Sequence, residues 1–301
     1  MRKLLGNSNW ATSIPVRIYI DICNRIVKSE SLRIALLIYT LHFRMASSVC
    51  SVLGIDKEDL TGKLIAVEEY HGSNGNFVLS CIIAEQIKKD CGICLMTLHN
   101  TFEHYHHVGT KLGYNLQQLE EKGSVQKIDV LQLLSSSFNT SESYLLKNSE
   151  DIVNSLFLMI KEKLEKLMET KKMVCLVIDD VSDILSLGVP VKDVLSFLQY
   201  CRVLLELLHG LSFVVLTHIY EEDEEQCLVA ANISHVANKV VTVSSLKTGQ
   251  SVDVSGIMKI SNKNLDTSVR ELDWNKQNIY HFKLLDRQVK VFAPGTGSSL
   301  T

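Results

Sequence analysis

Length, composition and charge already limit the class of protein that this sequence can encode. The chain has 301 residues, of which 46% are apolar and 22% charged, and its formal net charge is -3 at pH 7. This length supports a large core in one or two domains, and the near-neutral charge excludes a protein that coats nucleic acid over its whole surface, although it leaves room for a local basic face.

The apolar runs, cysteines and prolines restrict the setting further. No apolar stretch reaches the roughly 20 residues that a membrane-spanning helix needs, so no span is predicted. The eight cysteines lie mostly inside apolar runs, which is typical of reduced core residues and favours a cytosolic compartment. Because only three prolines occur and no Gly/Ser linker divides the body of the sequence, we expect one compact domain with an appended N-terminus.

The N-terminal segment, residues 1–44, is predicted to be an extension that the fold does not need. Apolar positions alternate between residues 14 and 22 as in a strand, and Ser31 to Phe43 is apolar enough for a short helix. Neither pattern connects recognisably to the rest of the chain. The sequence Met45-Ala-Ser-Ser looks like a fresh start, so the structured domain is predicted to cover residues 45–301.

A strand, a glycine-containing loop and a helix open this domain. The strand is predicted over Lys63 to Glu69 and the helix from Phe77 to about Lys89. This order is the layout of a phosphate-binding loop, in which backbone amides and the helix N-terminus hold the anion. When Gly75 is aligned with the last glycine of GxxxxGK[ST], Asn76 stands where the lysine should be and Phe77 where the magnesium-binding hydroxyl should be.

The loop formed by Gly72, Gly75, Asn76 and Phe77 is therefore a degenerate phosphate loop. Phosphoryl transfer depends on positioning and on neutralising the developing charge, so a site without the lysine and the hydroxyl should be a poor catalyst. We expect no catalytic residue, no cofactor and no metal here. Residual nucleotide binding through backbone amides remains open.

A second group of strands and helices comes next in the chain. Strands are predicted over Gly92 to Leu98 and Ser124 to Val130, with a helix between them from Phe102 to Leu112 that ends at Gly113. The serine-rich stretch from Ser135 to Ser143 is predicted to be a flexible connection.

Cysteines and histidines in this region suggest a metal site only superficially. Cys91 and Cys94 form a CxxC pair, but the pair enters a strand and no second pair completes a zinc site, which favours core residues. Four histidines lie close together in sequence: His99, His104, His106 and His107. No HExxH motif is present, and a solvated helix face is the favoured interpretation.

A helix and a buried strand form the centre of the chain. The helix is predicted from Glu150 to Glu169 after a Ser149 cap, with one apolar stripe made of Val153, Phe157, Ile160, Leu164 and Leu167. The strand MVCLVIDD, Met173 to Asp180, is an unbroken apolar run that predicts burial on both faces of a parallel sheet. Ligands of such sheets bind at the carboxyl ends of strands, so Asp179 and Asp180 either hold magnesium or simply end the strand and cap the turn.

The next helix is predicted from Pro190 to about His209, with Gly210 as its stop. Its apolar residues cover more than one face, so it is either covered by other parts of the chain or docks a partner. Leu198, Leu204 and Leu205 are the candidate partner contacts.

The last third of the chain changes from alternating strands and helices to strands alone. Leu211 to Thr217 is predicted as a buried strand, and the acidic run at 221–225 as a solvated helix start. An antiparallel ending is then predicted from four short strands. These cover Lys239 to Ser244, Gly256 to Ser261, Ile279 to Leu285 and Gln288 to Ala293. Between Lys239 and Lys290 nine Lys/Arg face five Asp/Glu, a basic excess that either meets phosphates or protects sheet edges.

Four segments carry a resemblance to a known family. They are YHGSNGNF from Tyr70 to Phe77, FEHYHHVGTKLGYNL from Phe102 to Leu116, MVCLVIDDVSDILSLG from Met173 to Gly188, and LLHGLSFVVLTH from Leu207 to His218. In their order and spacing the chain from about Met45 onward resembles the Elongator complex protein 6 family. Residues 1–44 have no recognised counterpart.

The resemblance implies a fold and a role. The implied fold is α/β and RecA-like, with a mostly parallel central sheet flanked by helices and antiparallel strands at the C-terminal end. The implied role is that of a non-catalytic subunit, in the cytoplasm or nucleus, that assembles with Elongator complex proteins 4 and 5 into a heterohexameric ring. That ring binds tRNA and serves the Elongator catalytic subcomplex, which modifies the wobble uridine at position 34 of tRNA.

Candidate tRNA contacts under this interpretation are Lys247, Lys259 and Lys263. Two alternatives stay open. The first is a RecA-like ATPase that uses Asp179 or Asp180 with magnesium in a degenerate or shared nucleotide site. The second is an interaction module unrelated to tRNA.

Overall fold

The fold is described from a computed structural model, in which residues 47–137, 149–246, 249, 251–263 and 277–295 are described. The predicted extension, residues 1–44, lies outside this range, and its dispensability stays a prediction. Among the described helices, none combines the length and the apolarity that crossing a bilayer requires.

Nine strands form a single mixed sheet. Their bounds are β1 Leu64–Tyr70, β2 Gly92–Thr97, β3 Val125–Asp129, β4 Val174–Asp179, β5 Leu211–Ile219, β6 Lys239–Ser244, β7 Gly256–Asn262, β8 Gln277–Leu285 and β9 Gln288–Phe292. The order across the sheet is β3-β2-β4-β5-β1-β6-β7-β8-β9. The first six strands in this order, from β3 through β2, β4, β5 and β1 to β6, pair in parallel. Strands β7, β8 and β9 add antiparallel pairs. The predicted fold class is confirmed.

Nine helices are described with the sheet. Their bounds are α1 Ser47–Leu53, α2 Asn76–Lys88, α3 Phe102–Leu112, α4 Leu116–Glu121, α5 Val130–Ser137, α6 Ser149–Met168, α7 Asp183–Ser186, α8 Val191–Leu207 and α9 Glu224–Val236. The predicted helix from Phe102 to Leu112 matches α3 at both ends. Thr101 caps its first turn by accepting a hydrogen bond from the His104 N–H, and Gly113 ends it with φ +92°.

The sheet separates two apolar layers, and β4 contributes to both. Cys175 and Val177 belong to the layer that contains α1 to α4, while Leu176 and Ile178 belong to the layer beneath α6, α8 and α9. Every residue of β4 is buried, which explains why its sequence is apolar without alternation.

Two local predictions are wrong. Residues 130–137, which include the start of the predicted flexible connection, form the helix α5. The helix forms because the Asp129 carboxylate accepts a hydrogen bond from the Gln132 N–H at 2.9 Å and because Leu133 and Leu134 pack against the core. The remainder of that connection, residues 138–143, lies outside the described residues.

The second correction concerns strand β6. The sequence pattern places it in an antiparallel ending, but it pairs in parallel with β1 and only its other edge pairs antiparallel, with β7. The helix α9 connects β5 to β6 and returns the chain to the same end of the sheet, as parallel connections require.

For helix α8 the structure favours the first of the two alternatives, cover by other parts of the chain. The helix begins after Pro190 and packs against β5, α6, α7 and α9, so several elements cover its apolar residues. Leu198 and Leu204 are each only 5% exposed and belong to the core. These two leucines are therefore not a free docking face, and of the three predicted contacts only Leu205 is partly exposed.

Candidate functional site

The candidate site lies where the carboxyl ends of the central parallel strands meet. Strand β5 pairs with β1 on one side and with β4 on the other. The loop after β1 carries the degenerate phosphate loop, and Asp179 and Asp180 end β4. A chain of side-chain contacts connects these two regions through strand β5.

Two backbone amides of the phosphate loop are occupied by side chains of the protein itself. The Gly75 N–H donates to Oε2 of Glu69 at 2.6 Å, and the Asn76 N–H donates to Oδ1 of Asn74 at 3.1 Å. Glu69 is 9% exposed. A phosphate would need these amides, and a carboxylate already holds the first of them.

Gly75 is tightly enclosed at this point. A Cβ added there would lie 3.3 Å from Oε2 of Glu69 and 3.5 Å from Cδ1 of Leu216. Gly72, by contrast, has φ +80°, a conformation that side chains rarely adopt, with no atom near an added Cβ. The two glycines therefore serve different needs, close packing at Gly75 and turn geometry at Gly72.

Asn76 and Phe77 fill the positions of the lysine and the hydroxyl with buried contacts. Oδ1 of Asn76 accepts a hydrogen bond from the Tyr105 hydroxyl at 3.2 Å, and Tyr105 is fully buried. The Phe77 ring packs on Phe282 of β8 with 4.7 Å between centroids. This arrangement supplies neither the cation nor the hydroxyl ligand on which phosphoryl transfer depends.

Two histidines extend the contact that closes the loop. Nδ1 of His218 lies 3.3 Å from Oε1 of Glu69, and Nε2 of His218 lies 3.3 Å from Nδ1 of His71. Sequence reasoning missed Glu69, His71 and His218. The only sequence sign was a pair of acids, Glu68 and Glu69, at the end of an otherwise apolar strand.

Asp179 is fully buried in the polar part of the site. Its Oδ2 accepts hydrogen bonds from the N–H of Asn100 at 2.9 Å and from the Asn100 side-chain amide at 3.4 Å. Its Oδ1 is buried without a hydrogen-bond partner among the described residues. Burial raises the pKa of Asp179 to about 6, despite the opposing hydrogen bonds.

Asp180 caps the turn after β4. Its backbone has φ +50°, and its Oδ1 accepts hydrogen bonds from the Ser182 N–H at 3.2 Å, the Ser182 hydroxyl and the His218 N–H at 3.1 Å. Burial raises the pKa of Asp180 as well. The capping interpretation therefore describes Asp180, and the same His218 connects it to Glu69 and the phosphate loop.

The cysteines and histidines that could suggest a metal site take the expected places. Cys91 and Cys94 are free and buried, and burial raises the pKa of Cys94 to about 12. His104 and His107 are exposed on α3. His99 differs from them, because its Nδ1 lies 3.0 Å from Oδ2 of Asp183.

Of the candidate tRNA lysines, Lys263 is placed away from this edge of the sheet. Lys259 is half-buried in β7. Lys263 follows β7, where its N–H donates to the Asn238 carbonyl and its ammonium group to the Ser234 carbonyl. Because Asn238 precedes β6, Lys263 lies at the amino-terminal edge of the parallel strands. Lys247 lies outside the described residues.

Comparisons with known proteins identify relatives over most of the chain. The family model described as Elongation complex protein 6 matches residues 47–286. The chain is 29% identical to Elongator complex protein 6 of Xenopus laevis over 262 residues, covering 83% of this chain and 97% of that protein. It is 27% identical to the protein of the same name from Homo sapiens over 234 residues, covering 74% and 87%. It is 26% identical to the protein of that name from Drosophila melanogaster over 252 residues, covering 83% of this chain and 98% of that protein.

Solved structures show the same fold at low sequence identity. A KaiC-like protein from Pyrococcus horikoshii superimposes with a TM-score of 0.51 at 14% identity, covering 77% of this chain and 90% of that one. A second, uncharacterized protein from that organism has a TM-score of 0.51 at 12% identity, covering 78% and 93%. These similarities establish a RecA-type fold and nothing about activity.

Proposed function

Because this chain belongs to the Elongator complex protein 6 family, we propose that it is a non-catalytic subunit of the Elongator complex. In this proposal it assembles with Elongator complex proteins 4 and 5 into a heterohexameric ring in the cytoplasm or nucleus. The ring binds tRNA and supports modification of the wobble uridine by the catalytic subcomplex. The chain itself needs no cofactor for this role.

The observation that carries the non-catalytic role is the hydrogen bond from the Gly75 N–H to Glu69. A phosphate-binding loop works through free backbone amides and a lysine. Here an internal carboxylate takes the amide, and Asn76 replaces the lysine. An incoming phosphate would meet a negative charge instead of a positive one, which opposes nucleotide binding.

Exposed apolar side chains on α6 and α8 support the assembly role. Tyr200, Val203 and Leu207 recur on α8 at steps of three and four residues, and are 47%, 47% and 68% exposed. Tyr200 contacts Phe157 of α6 with 5.5 Å between ring centroids, and Leu158 of α6 is 61% exposed. We call Leu158, Tyr200, Val203 and Leu207 the α6–α8 surface. Exposed apolar side chains that include the aromatic ring of Tyr200 fit a contact with a neighbouring subunit.

A group of lysines supports the tRNA role in the assembled ring. Lys63, Lys239 and Lys263 line a polar cavity of about 730 Å³ together with Glu58. Glu58 pairs with Lys63 and, at 3.3 Å, with Lys239. The two ammonium groups of Lys63 and Lys239 share the single Glu58 carboxylate, which leaves a positive excess that attracts phosphate groups.

Co-expression of the full chain with Elongator complex proteins 4 and 5 tests the proposal. We expect a stoichiometric complex on gel filtration that retains tRNA, while the chain alone binds neither ATP nor tRNA tightly. Substitution of Lys63 and Lys263 by Glu should weaken tRNA retention without dissociating the ring. A chain that purifies alone in the presence of both partners would refute the assembly role.

A second candidate function is a RecA-like ATPase with a degenerate or shared nucleotide site. The observation in its favour is Asp179, a buried acid at the carboxyl end of β4 with one oxygen unpaired among the described residues. A nucleotide-binding assay on the isolated chain and on the ring separates the two functions. Binding that depends on Asp179 would favour the ATPase.

A further inference from the structure

One face of the sheet has no helix packed on it at the antiparallel end. The buried apolar residues of β7, β8 and β9 are Met258, Ile260, Phe282 and Val289, and all four belong to the layer that contains α1 to α4. None of the described residues of these strands belongs to the layer beneath α6, α8 and α9, because those helices pack on β1 to β5. The side chains on the other face of β7 to β9 therefore form an open surface.

The strand register defines which side chains share this surface. His281 of β8 lies opposite Ile257 of β7 and opposite Phe292 of β9, and every second residue of a strand points to the same face. The residues that matter below are Lys259, Ile279, His281, Lys283, Lys290 and Phe292. We call them the open β7–β9 face.

This face carries positive charge and no acid of its own. Within the three strands, no Asp or Glu occupies any position on this side of the sheet. Lys283 and Lys290 are directly opposite each other, an arrangement of like charges that destabilises a sheet. Of its three lysines, only Lys283 forms an ion pair within the described part of the chain, at 3.5 Å to the exposed Asp253. An anionic partner would neutralise the remaining charge.

Protection of a sheet edge does not account for these lysines. Charged side chains on an exposed edge strand prevent it from pairing with another chain. Lys259 and Lys283, however, lie on β7 and β8, and each of these strands has a neighbour on both sides. Only Lys290 lies on the edge strand β9, so the charge of the face has another purpose.

Two rings lie between the lysines. The centroids of His281 and Phe292 are 5.9 Å apart, and both side chains are partly exposed. One step along the face, about 7 Å away, Ile279 is 45% exposed and lies opposite Lys259. One step in the other direction lie Lys283 and Lys290. Rings flanked by cations are the combination with which proteins bind unpaired bases and the phosphates that join them.

We propose that the open β7–β9 face binds a single-stranded segment of RNA. In this arrangement His281 and Phe292 contact the bases, and the three lysines contact the phosphates. The inference rests on the proposed tRNA role and names the kind of RNA segment that this chain contacts. Bases in a duplex are paired and stacked on one another, so their flat surfaces do not reach the rings. None of the six residues of the face lines the cavity of Lys63 and Lys239, so this is a separate contact.

Fluorescence anisotropy with a labelled oligouridine of about ten nucleotides tests the proposal on the full-length chain without partner subunits. At low salt we expect a dissociation constant of roughly 10⁻⁴ to 10⁻⁶ M, the range of binding through phosphates. We expect an RNA duplex of the same length to bind about fivefold more weakly or worse, because that is the value of one lost stacking contact.

Substitutions assign the binding to the face. Phe292→Ala should weaken oligouridine binding by about fivefold or more. Phe292→Leu, which keeps an apolar side chain but no ring, serves as the second variant if Phe292→Ala fails to unfold cooperatively. Lys259→Gln and Lys290→Gln should each reduce the slope of log affinity against log salt by about 0.7. The matched control is Lys122→Gln, an exposed lysine between α4 and β3, which should leave the slope unchanged.

Four results would overturn the proposal. The first is a wild-type chain that does not bind the oligouridine, and the second is a duplex that binds as well as the single strand. The third is an equal loss of slope in Lys122→Gln and in the two face variants. The fourth is displacement of the oligouridine by polyglutamate of equal charge as effectively as by unlabelled RNA, because an acidic protein segment would then be the partner.

These results are distinguishable from failure of the proposed function. The titration uses the chain alone, so a negative result leaves the co-expression test of assembly and tRNA retention unchanged. A ring that does not form, in turn, leaves the titration interpretable.

Discussion

The carboxylate of Glu69 accepts a 2.6 Å hydrogen bond from the backbone N–H of Gly75, six residues further along the chain. Strand β1 thus ends by turning one of its own side chains into the loop that, in a nucleotide-binding protein, would hold phosphate. The Gly75 amide, which a ligand would need, instead stabilises the loop. This intrachain contact makes the loop a structural turn.

The first prediction concerns this contact and the stability of the domain. Glu69→Ala removes the acceptor and leaves the Gly75 N–H unpaired in a buried place, so we expect a loss of about 1–3 kcal/mol in the free energy of unfolding. Glu69→Gln keeps an acceptor oxygen and should recover most of this loss. Urea unfolding of the full chain measures both.

Glu103→Ala, an exposed acid in the first turn of α3, is the matched control and should change stability by no more than about 0.5 kcal/mol. Equal stability of Glu69→Ala and the wild type would contradict the role assigned to Glu69. So would tight ATP binding by the wild-type chain.

The second prediction rests on the buried acid Asp179. Its pKa is about 6 in the folded chain and 3.8 without burial, so between these values the folded state binds more protons than the unfolded state. The contribution of protonated Asp179 to the free energy of unfolding is fully present below about pH 4. As the pH rises to about 6, this contribution of roughly 3 kcal/mol is lost. Asp180, whose pKa is raised too, acts in the same direction.

Asp179→Asn should flatten this fall, because asparagine carries no charge to bury. Unfolding curves at intervals between pH 4 and pH 7 compare the variant with the wild type. Asp253→Asn, at an exposed acid paired with Lys283, is the control and should leave the profile unchanged. If the free energy of unfolding of the wild type rises over this pH range while that of the variant does not, Asp179 is charged and favourably paired.

The third prediction concerns catalysis in the assembled ring. Because Asn76 and Phe77 replace the lysine and the hydroxyl, Asp179→Asn and Asp180→Asn should leave any ATP turnover of the ring nearly unchanged. Gel filtration of the same samples checks that the variants still assemble. A drop of about a hundredfold, or about 2.7 kcal/mol in the barrier, would instead identify this chain as an active ATPase subunit.

The parts of the fold that the sequence predicted are those with local determinants. Helix α3 carries its cap at Thr101 and its stop at Gly113, and β4 is recognisable from its unbroken apolar run. The direction of β6 was not predictable, because it depends on a pairing with β1 that lies about 170 residues earlier in the chain.

The candidate site shows the same limit more sharply. The sequence indicated a degenerate phosphate loop from Asn76 and Phe77 alone. It did not indicate that Glu69 would turn toward Gly75, since an acid at a strand end is equally compatible with a solvent-facing side chain. The burial of Leu198 and Leu204 likewise depends on α6 and α9, which pack on α8 from distant parts of the chain.

The last prediction concerns the α6–α8 surface. Leu207 is 68% exposed and Val203 47% exposed, so neither side chain contributes much to the core, and Leu207→Asp or Val203→Asp should leave the isolated domain folded. In a subunit contact the same change would remove roughly 1.5–3 kcal/mol of apolar burial and would also desolvate a charge. We therefore expect either substitution to abolish copurification of Elongator complex proteins 4 and 5.

Leu228→Asp is the matched control, because Leu228 is 50% exposed on α9, outside this surface. Copurification should survive in that variant, and circular dichroism should show all three folded. If Leu207→Asp and Val203→Asp retain both partners, or if Leu228→Asp alone loses them, the subunit contact lies on another face of the domain.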